Sequence, residues 1–374
     1  MDGSGEGRLT RLLGFVEADP TNSALVEEAA AAALEVGRPE QALALIKRYQ
    51  SFGEAPASLI NLSAVAAMSL GRFGEAAETL QDLSSEAGAD PGIRFNLAWC
   101  EAMLGRWTKT AELLDDEVMS RVPASAALKV QALHHLGRME EALEFGQAAC
   151  ALHPEDKALH AAIAVVALDA EAFDLAATHA KLSGDKPSGL AVTGILLLDD
   201  NRPETALGCF DSALEHAPNE KRALLGKGLS LLSLGDYGQA AEWLDRGAAA
   251  FETHSGSWIA SAWGHFAKGD YQTARERFAA AEKIDPTFAE VHGGLAVLDV
   301  LEGDEEAGRR RAETALRLDP TCLAGALART LLLRKAGDIS SADRITKIAL
   351  NAQLGPDGRT LAQAIQAFGR RTPH

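Results

Sequence analysis

The sequence predicts an all-α solenoid of about ten helix–turn–helix repeats with a capping helix at each end. Three observations lead to this prediction. Similar segments recur at a nearly constant spacing, a glycine or polar residue separates two apolar runs in each segment, and an alanine follows that residue at a fixed distance. Such a period is typical of units that cannot bury their apolar faces alone and therefore stack on their neighbours.

The recurrence is clearest at the residue between the two apolar runs, which we call the loop residue. The segment GDYQTARERFAAAEKIDP, starting at Gly269, has close counterparts 34 residues before and 34 residues after it. The ten loop residues are Gly37, Gly71, Gly105, Gly137, Glu171, Asn201, Gly235, Gly269, Gly303 and Gly337. Seven of the nine steps between them are 34 residues, and the other two are 32 and 30.

Each unit is predicted to be two helices joined at the loop residue. Glycine suits this place because a helix commonly ends on a left-handed residue, a conformation that is costly for other side chains. A proline after several second helices, as at Pro286 and Pro320, marks their end because proline cannot continue a helix.

A packing pattern follows each loop residue. Five positions on, a small side chain lets the two helices of a unit approach closely: Ala42, Ala76, Ala142, Ala176, Ala206, Ala240, Ala274 and Ala342. Thr110 and Gly308 stand at this position in the two remaining units. A larger side chain four positions further is predicted to fill the adjoining space: Ile46, Leu80, Leu114, Phe210, Leu244 and Phe278.

These residues resemble the tetratricopeptide repeat, a helical unit of 34 residues with recurring Trp, Gly, aromatic, Ala, Phe and Pro positions. The eighth unit is the closest match, through Trp258, Ala262, Tyr271, Ala274, Phe278, Ala281 and Pro286. The resemblance covers about residues 23–354. The resemblance is to the bacterial type of this family. It implies a right-handed superhelix that binds partners on its concave surface.

The predicted organisation has four parts. Residues 1–22 hold an N-terminal capping helix, 23–186 hold repeats one to five, 187–354 hold repeats six to ten, and 355–374 hold a C-terminal capping helix and tail. The capping helices are expected over 7–19 and 358–370, because the ends of a solenoid need a polar outer side.

The step of 30 residues removes about one helical turn from the second helix of unit five. Gly184, Pro187 and Gly189 follow and interrupt the helical pattern near the middle of the chain. Two interpretations stay open: a hinge between two halves, or a shortened repeat without functional motion.

The charge distribution disfavours a nucleic-acid ligand. The chain has a net charge of −17; residues 301–374 contain 12 Lys or Arg against 9 Asp or Glu, which leaves −20 on residues 1–300. Nucleic-acid binding depends on neutralising phosphates, so a basic partner segment is favoured instead. The basic cluster at 308–318 fits an exposed helix face. Opposite charge at the two ends also suggests head-to-tail self-association.

The sequence predicts a cytoplasmic protein. It has no apolar run of about 18 residues, which a membrane span requires, and its first residues lack the layout of a secretory signal. The four cysteines, at positions 100, 150, 209 and 322, are widely spaced and are expected to be free thiols.

Sequence patterns of catalysis or metal binding are missing. His134 and His135 are adjacent, and neighbouring residues on a helix point about 100° apart, so the two side chains cannot chelate one ion. The chain has no Cys-x-x-Cys or His-Glu-x-x-His spacing. We therefore expect no enzyme activity, no cofactor and no metal.

The resemblance places the concave surface on the first helix of each unit, at about 3, 6, 10 and 13 residues before the loop residue. The candidate partner-binding residues at these positions are Asn61, Val65, Phe95, Trp99, Gln131, His134, Ile195, Ile259, Trp263, Phe266, Leu331 and Arg334. Their mostly apolar character predicts an amphipathic helix or apolar segment as the partner. Alternatively, the same side chains pack between repeats.

Asn61 and Asn96 have no Lys or Arg at neighbouring concave positions, which disfavours a clamp for a terminal carboxylate. Two functions are compatible with these features. The first is a non-catalytic scaffold or adaptor that binds a protein or peptide in a largely apolar groove. The alternative is a regulatory receptor for a short peptide or small apolar ligand, which closes about a hinge near Pro187.

Overall fold

The computed structural model describes residues 3–85 and 90–351 of the chain. Within these ranges it contains 22 α-helices and no β-strand, which confirms the predicted all-α class. The chain divides into two compact units, Met1–Ala172 and Phe173–His374. The C-terminal capping helix predicted over 358–370 lies outside the described residues.

The first unit is a stack of helical hairpins that follows one separate helix at its start. Its helices are α1 (Gly3–Ala18), α2 (Ser23–Glu35), α3 (Pro39–Gln50), α4 (Ala57–Ser69), α5 (Phe73–Ser85), α6 (Pro91–Met103), α7 (Trp107–Leu113), α8 (Asp116–Arg121), α9 (Ser125–His135), α10 (Met139–Leu152) and α11 (Lys157–Asp169). Each hairpin packs on its neighbours, as expected of a solenoid.

The second unit continues the same pattern. Its helices are α12 (Phe173–Leu182), α13 (Pro187–Asp199), α14 (Pro203–His216), α15 (Lys221–Ser233), α16 (Tyr237–Phe251), α17 (Ser255–Lys268), α18 (Tyr271–Ile284), α19 (Ala289–Glu302), α20 (Glu305–Leu318), α21 (Leu323–Lys335) and α22 (Ile339–Leu350). None of the helices that the structure describes has the length and apolar character of a membrane span.

All ten loop residues are left-handed, with φ between 56° and 97°. After each of them, the next backbone N–H donates to a carbonyl one turn back in the first helix, at 2.8–3.0 Å, as Asp270 donates to His265. This bond satisfies a helix-end carbonyl that would otherwise lack a donor. In the last four repeats the residue after the glycine is an aspartate, whose carboxylate caps the following helix.

Replacing Glu171 with glycine is expected to stabilise the fold. Glu171 adopts a φ of 57°, where a side chain costs energy that glycine avoids. We expect the free energy of unfolding to rise by about 0.5–1 kcal/mol, after allowing for the greater freedom of glycine in the unfolded chain. Chemical denaturation followed by far-UV circular dichroism measures the change. Asn201→Gly is the matched comparison and should gain less, because asparagine tolerates this conformation.

The predicted packing pattern is confirmed. The eight alanines five positions after the loop residues are all 0% exposed, and the larger side chains four positions further are 0–1% exposed. Glycines on first helices provide space for the largest of these side chains. A Cβ added at Gly226 would lie 2.2 Å from the Phe210 ring, and one added at Gly294 would lie 2.3 Å from the Phe278 ring.

Two second helices, α7 and α12, are much shorter than the 14 residues seen in α10, α14, α18 and α20. Helix α12 has only 10 residues, consistent with the step of 30. The step of 32 coincides with a break in the helix after Leu113, which separates α7 from α8. The four cysteines are free thiols, as predicted, and burial raises the pKa of Cys100 to about 11.

Candidate functional site

The first candidate surface lies in the first unit, on α6. Phe95, Trp99 and Met103 follow one another at intervals of four residues and therefore share one face of the helix. Trp99 is 41% exposed and Met103 is 49% exposed, while Phe95 is half-buried with its ring centroid 6.3 Å from that of Trp99. We call these three residues the α6 stripe.

Met103 was not among the residues predicted from the sequence. Its spacing of four residues from Trp99 is the signal that could have identified it, since such residues are neighbours on a helix surface. An exposed tryptophan beside an exposed methionine offers a large, adaptable apolar contact area.

The other candidates of the first unit differ in their exposure and in their polar partners. Asn96 donates from Nδ2 to Oδ1 of Asn61 at 3.3 Å, so the two amides are partners across α4 and α6. His134 Nε2 lies 2.8 Å from a carboxylate oxygen of Asp169 on α11. Val65 is half-buried and Gln131 is exposed.

The second candidate surface lies in the second unit, around Trp263 on α17. The Trp263 ring meets those of Phe266 and Phe278 edge to face, at centroid distances of 5.2 Å and 5.3 Å. Trp263 and Phe266 are both half-buried. These two rings therefore contribute to packing, and only part of each is open to a ligand.

One side of Trp263 forms the wall of a cleft of about 270 Å³. Leu323, Leu327 and Leu350 line this cleft, and Glu290 supplies a carboxylate to its lining. Leu327 is 42% exposed, so its side chain is accessible from solvent. We call this feature the Trp263 cleft. Its lining suits a single apolar side chain of a partner.

The remaining candidates of the second unit differ in accessibility. Ile259 is only 7% exposed and packs in the core with Phe278, which leaves little of it for a partner. Ile195 and Leu331 are half-buried against neighbouring core clusters. Arg334 is exposed and pairs with Asp343 at 3.1 Å.

Comparisons with known proteins agree with this architecture. The tetratricopeptide repeat family matches residues 62–126 and 192–254. Among solved structures, the Cut9–Hcn1 hetero-tetramer of the APC/C is similar with a TM-score of 0.52 at 12% identity, over 98% of this chain and 87% of that one. The human IFIT1 dimer with m7Gppp-AAAA is similar with a TM-score of 0.52 at 13% identity, over 94% and 95%. None of the curated proteins matches the chain.

The chain contains tetratricopeptide repeats. Its two family matches fall one in each compact unit, and its ten left-handed loop residues continue the same hairpin pattern beyond them. Proteins of this family are generally scaffolds for protein–protein interaction and are generally non-catalytic.

The second unit also holds a polar cluster that was not predicted from the sequence. Asp245 on α16 accepts hydrogen bonds from Arg277 Nε at 2.8 Å, Arg277 Nη2 at 3.0 Å and His265 Nε2 at 3.1 Å, and also from the Ser261 hydroxyl. Burial raises the pKa of Asp245, but these hydrogen bonds outweigh it and hold the pKa at about 2. The cluster ties repeat seven to repeat eight.

One sequence feature could have identified this cluster: a polar residue at a first-helix position that is expected to be buried. His265 lies four residues before its loop residue, and Glu101 and Asp299 occupy the same position in repeats three and nine. All three side chains are buried. Glu101 and Asp299 each pair with a basic side chain, and His265 pairs with a carboxylate. Buried polar groups of this kind require partners, so their presence indicates contacts between helices.

Proposed function

We propose that the chain is a non-catalytic scaffold that binds a protein or peptide partner through apolar contacts on its first helices. The observation that carries this proposal is the α6 stripe, because Trp99 and Met103 expose large apolar side chains at neighbouring positions of one helix. Tryptophan in such a position is typical of residues that dominate binding energy. The Trp263 cleft is a second, separate contact surface in the other unit.

A protein ligand is favoured over RNA. IFIT1 in one of the similar structures holds m7Gppp-AAAA, but the present chain has a net charge of −17. A surface so acidic opposes the phosphate contacts that provide most of the affinity for RNA. A partner segment with apolar side chains and basic flanks suits both the stripe and the surrounding charge.

Comparative affinity capture tests this function. The intact protein, a Trp99→Ala/Met103→Ala variant and a Leu327→Ala variant are immobilised, and the proteins that each retains from lysate are quantified by mass spectrometry. Removing the two exposed side chains of the stripe is expected to weaken capture of a true partner by at least about tenfold.

Phe52→Ala is the matched control, because Phe52 is 54% exposed but lies in the connection between α3 and α4. The control should retain the same partner as the intact protein. Equal retention by all four proteins would show that the proposed surfaces do not bind it. Circular dichroism of each variant confirms that helicity is unchanged.

A further inference from the structure

A cleft between α20 and α21 has the opposite character to the surfaces described above. It has a volume of about 500 Å³ and shares no lining residue with the Trp263 cleft. Arg309 and Arg317 line it from α20, and Arg329 lines it from α21. Leu316 and Leu332 add apolar area. We call this feature the basic cleft.

The three arginines of the basic cleft differ from their neighbours in their contacts. Arg310 pairs with Glu306, and Arg311 pairs with Glu282 and Asp299. Over the residues that the structure describes, Arg309, Arg317 and Arg329 have neither an ion pair nor a side-chain hydrogen bond. Their guanidinium groups are exposed and available to an anion.

The positions of the arginines also define the spacing of the anionic groups that the basic cleft can bind. Arg309 and Arg317 are eight residues apart on one helix, which corresponds to about 12 Å along its axis. Glu313 lies between them and is the one carboxylate among the lining residues, so the lining has a net charge of +2. A ligand with separated carboxylates and apolar groups between them matches this pattern.

We propose that the basic cleft binds an acidic peptide segment of a partner protein, one in which carboxylate and apolar side chains alternate. Charge complementarity selects this occupant. Residues 352–374 of the chain itself contain three arginines and one aspartate, a net charge of +2, and would be repelled. The net negative charge of the whole chain would repel a large anion such as a nucleic acid or an anionic membrane. A short peptide responds mainly to charges within about 8 Å.

Fluorescence anisotropy with a labelled synthetic peptide tests this site. The probe has about 12 residues of glutamate, leucine and serine, enough to span the cleft at about 3.3 Å per residue. A second probe has lysine in place of each glutamate. The full chain is expected to bind the acidic probe, with an affinity that falls as salt is raised, and to bind the lysine probe at least about tenfold more weakly.

The variant Arg309→Glu/Arg329→Glu should bind the acidic probe at least about tenfold more weakly than the intact chain. Arg310→Glu is the matched control, since this exposed arginine lies on the same helix but does not line the cleft. It should bind within about twofold of the intact chain. Far-UV circular dichroism checks that both variants stay folded.

Four results would overturn the proposal. The first is equal binding of the acidic and lysine probes, and the second is unchanged binding by the double variant. The third is a salt-dependent dimer in sedimentation that only the double variant abolishes, which would assign the cleft to a second copy of the chain. Binding of vesicles with anionic lipids, lost in the same variant, would likewise replace a peptide with a membrane surface.

Discussion

Replacing Phe278 with alanine is expected to lower the free energy of unfolding of the second unit by about 3–5 kcal/mol. Phe278 is fully buried, and its ring packs edge to face on Trp263. The absence of a side chain on Gly294 is what makes room for this ring. Alanine would leave a cavity between two helices. Because other contacts hold the backbones of these helices, the surrounding structure would fill the cavity only in part.

Urea denaturation followed by circular dichroism, together with hydrogen exchange resolved by segment, measures this loss. Exchange should accelerate most in α17, α18 and α19, because each repeat of a solenoid contacts mainly its neighbours. Phe288→Ala is the control, since Phe288 is 42% exposed, and its effect should be below about 1 kcal/mol. Equal effects of the two substitutions would show that the Phe278 ring does not hold these repeats together.

Replacing Asp245 with asparagine is expected to cost about 2 kcal/mol of unfolding free energy at neutral pH. The pKa of Asp245 is about 2 in the folded chain, against an ordinary value of 3.8, and each unit of difference corresponds to about 1.4 kcal/mol. Asparagine keeps the shape of the side chain but loses the charge that holds Arg277.

The pH dependence of this effect has a definite sign. A carboxyl with a lowered pKa stabilises the folded chain above its unfolded pKa, and that stability is lost as pH falls through the folded value. The difference between the intact protein and Asp245→Asn should therefore shrink between about pH 4 and pH 2. Asp343→Asn, which removes an exposed ion pair with Arg334, should change stability by less than about 1 kcal/mol at any pH. If the loss of unfolding free energy caused by Asp245→Asn did not change with pH, this explanation of the stabilising effect of Asp245 would be contradicted.

The repeat architecture could be predicted from the sequence because its signals are local. The left-handed conformation at Gly269 and the complete burial of Ala274 follow from residue type and from distance to the loop residue. Ten loop residues recur along the chain, and eight of them are followed by alanine at this distance, so each unit supports the assignment of the others.

The candidate site was less predictable, because position on a first helix does not reveal how far a side chain is covered. Trp99 and Trp263 occupy equivalent positions in their repeats, yet Trp263 packs on the buried Phe278, whereas Trp99 lies beside the half-buried Phe95 and stays 41% exposed. The partner of a buried charge is equally hard to predict: Asp245 and Arg277 are 32 residues apart and meet only when repeats stack.

The two shortened steps show how a solenoid tolerates deletions. Successive residues turn by about 100° around a helix, so removing four residues returns the end of the helix to within about 40° of its former direction. Helix α12 is shorter than α14 by that amount, and the chain still reaches the next first helix without a break in its pattern. Removing two residues turns the exit by about 200°, toward the opposite side. In this repeat the helix is interrupted between α7 and α8, so no continuous helix carries that rotation on to the next repeat. Insertions or deletions of about one full turn should therefore be the ones this array accepts.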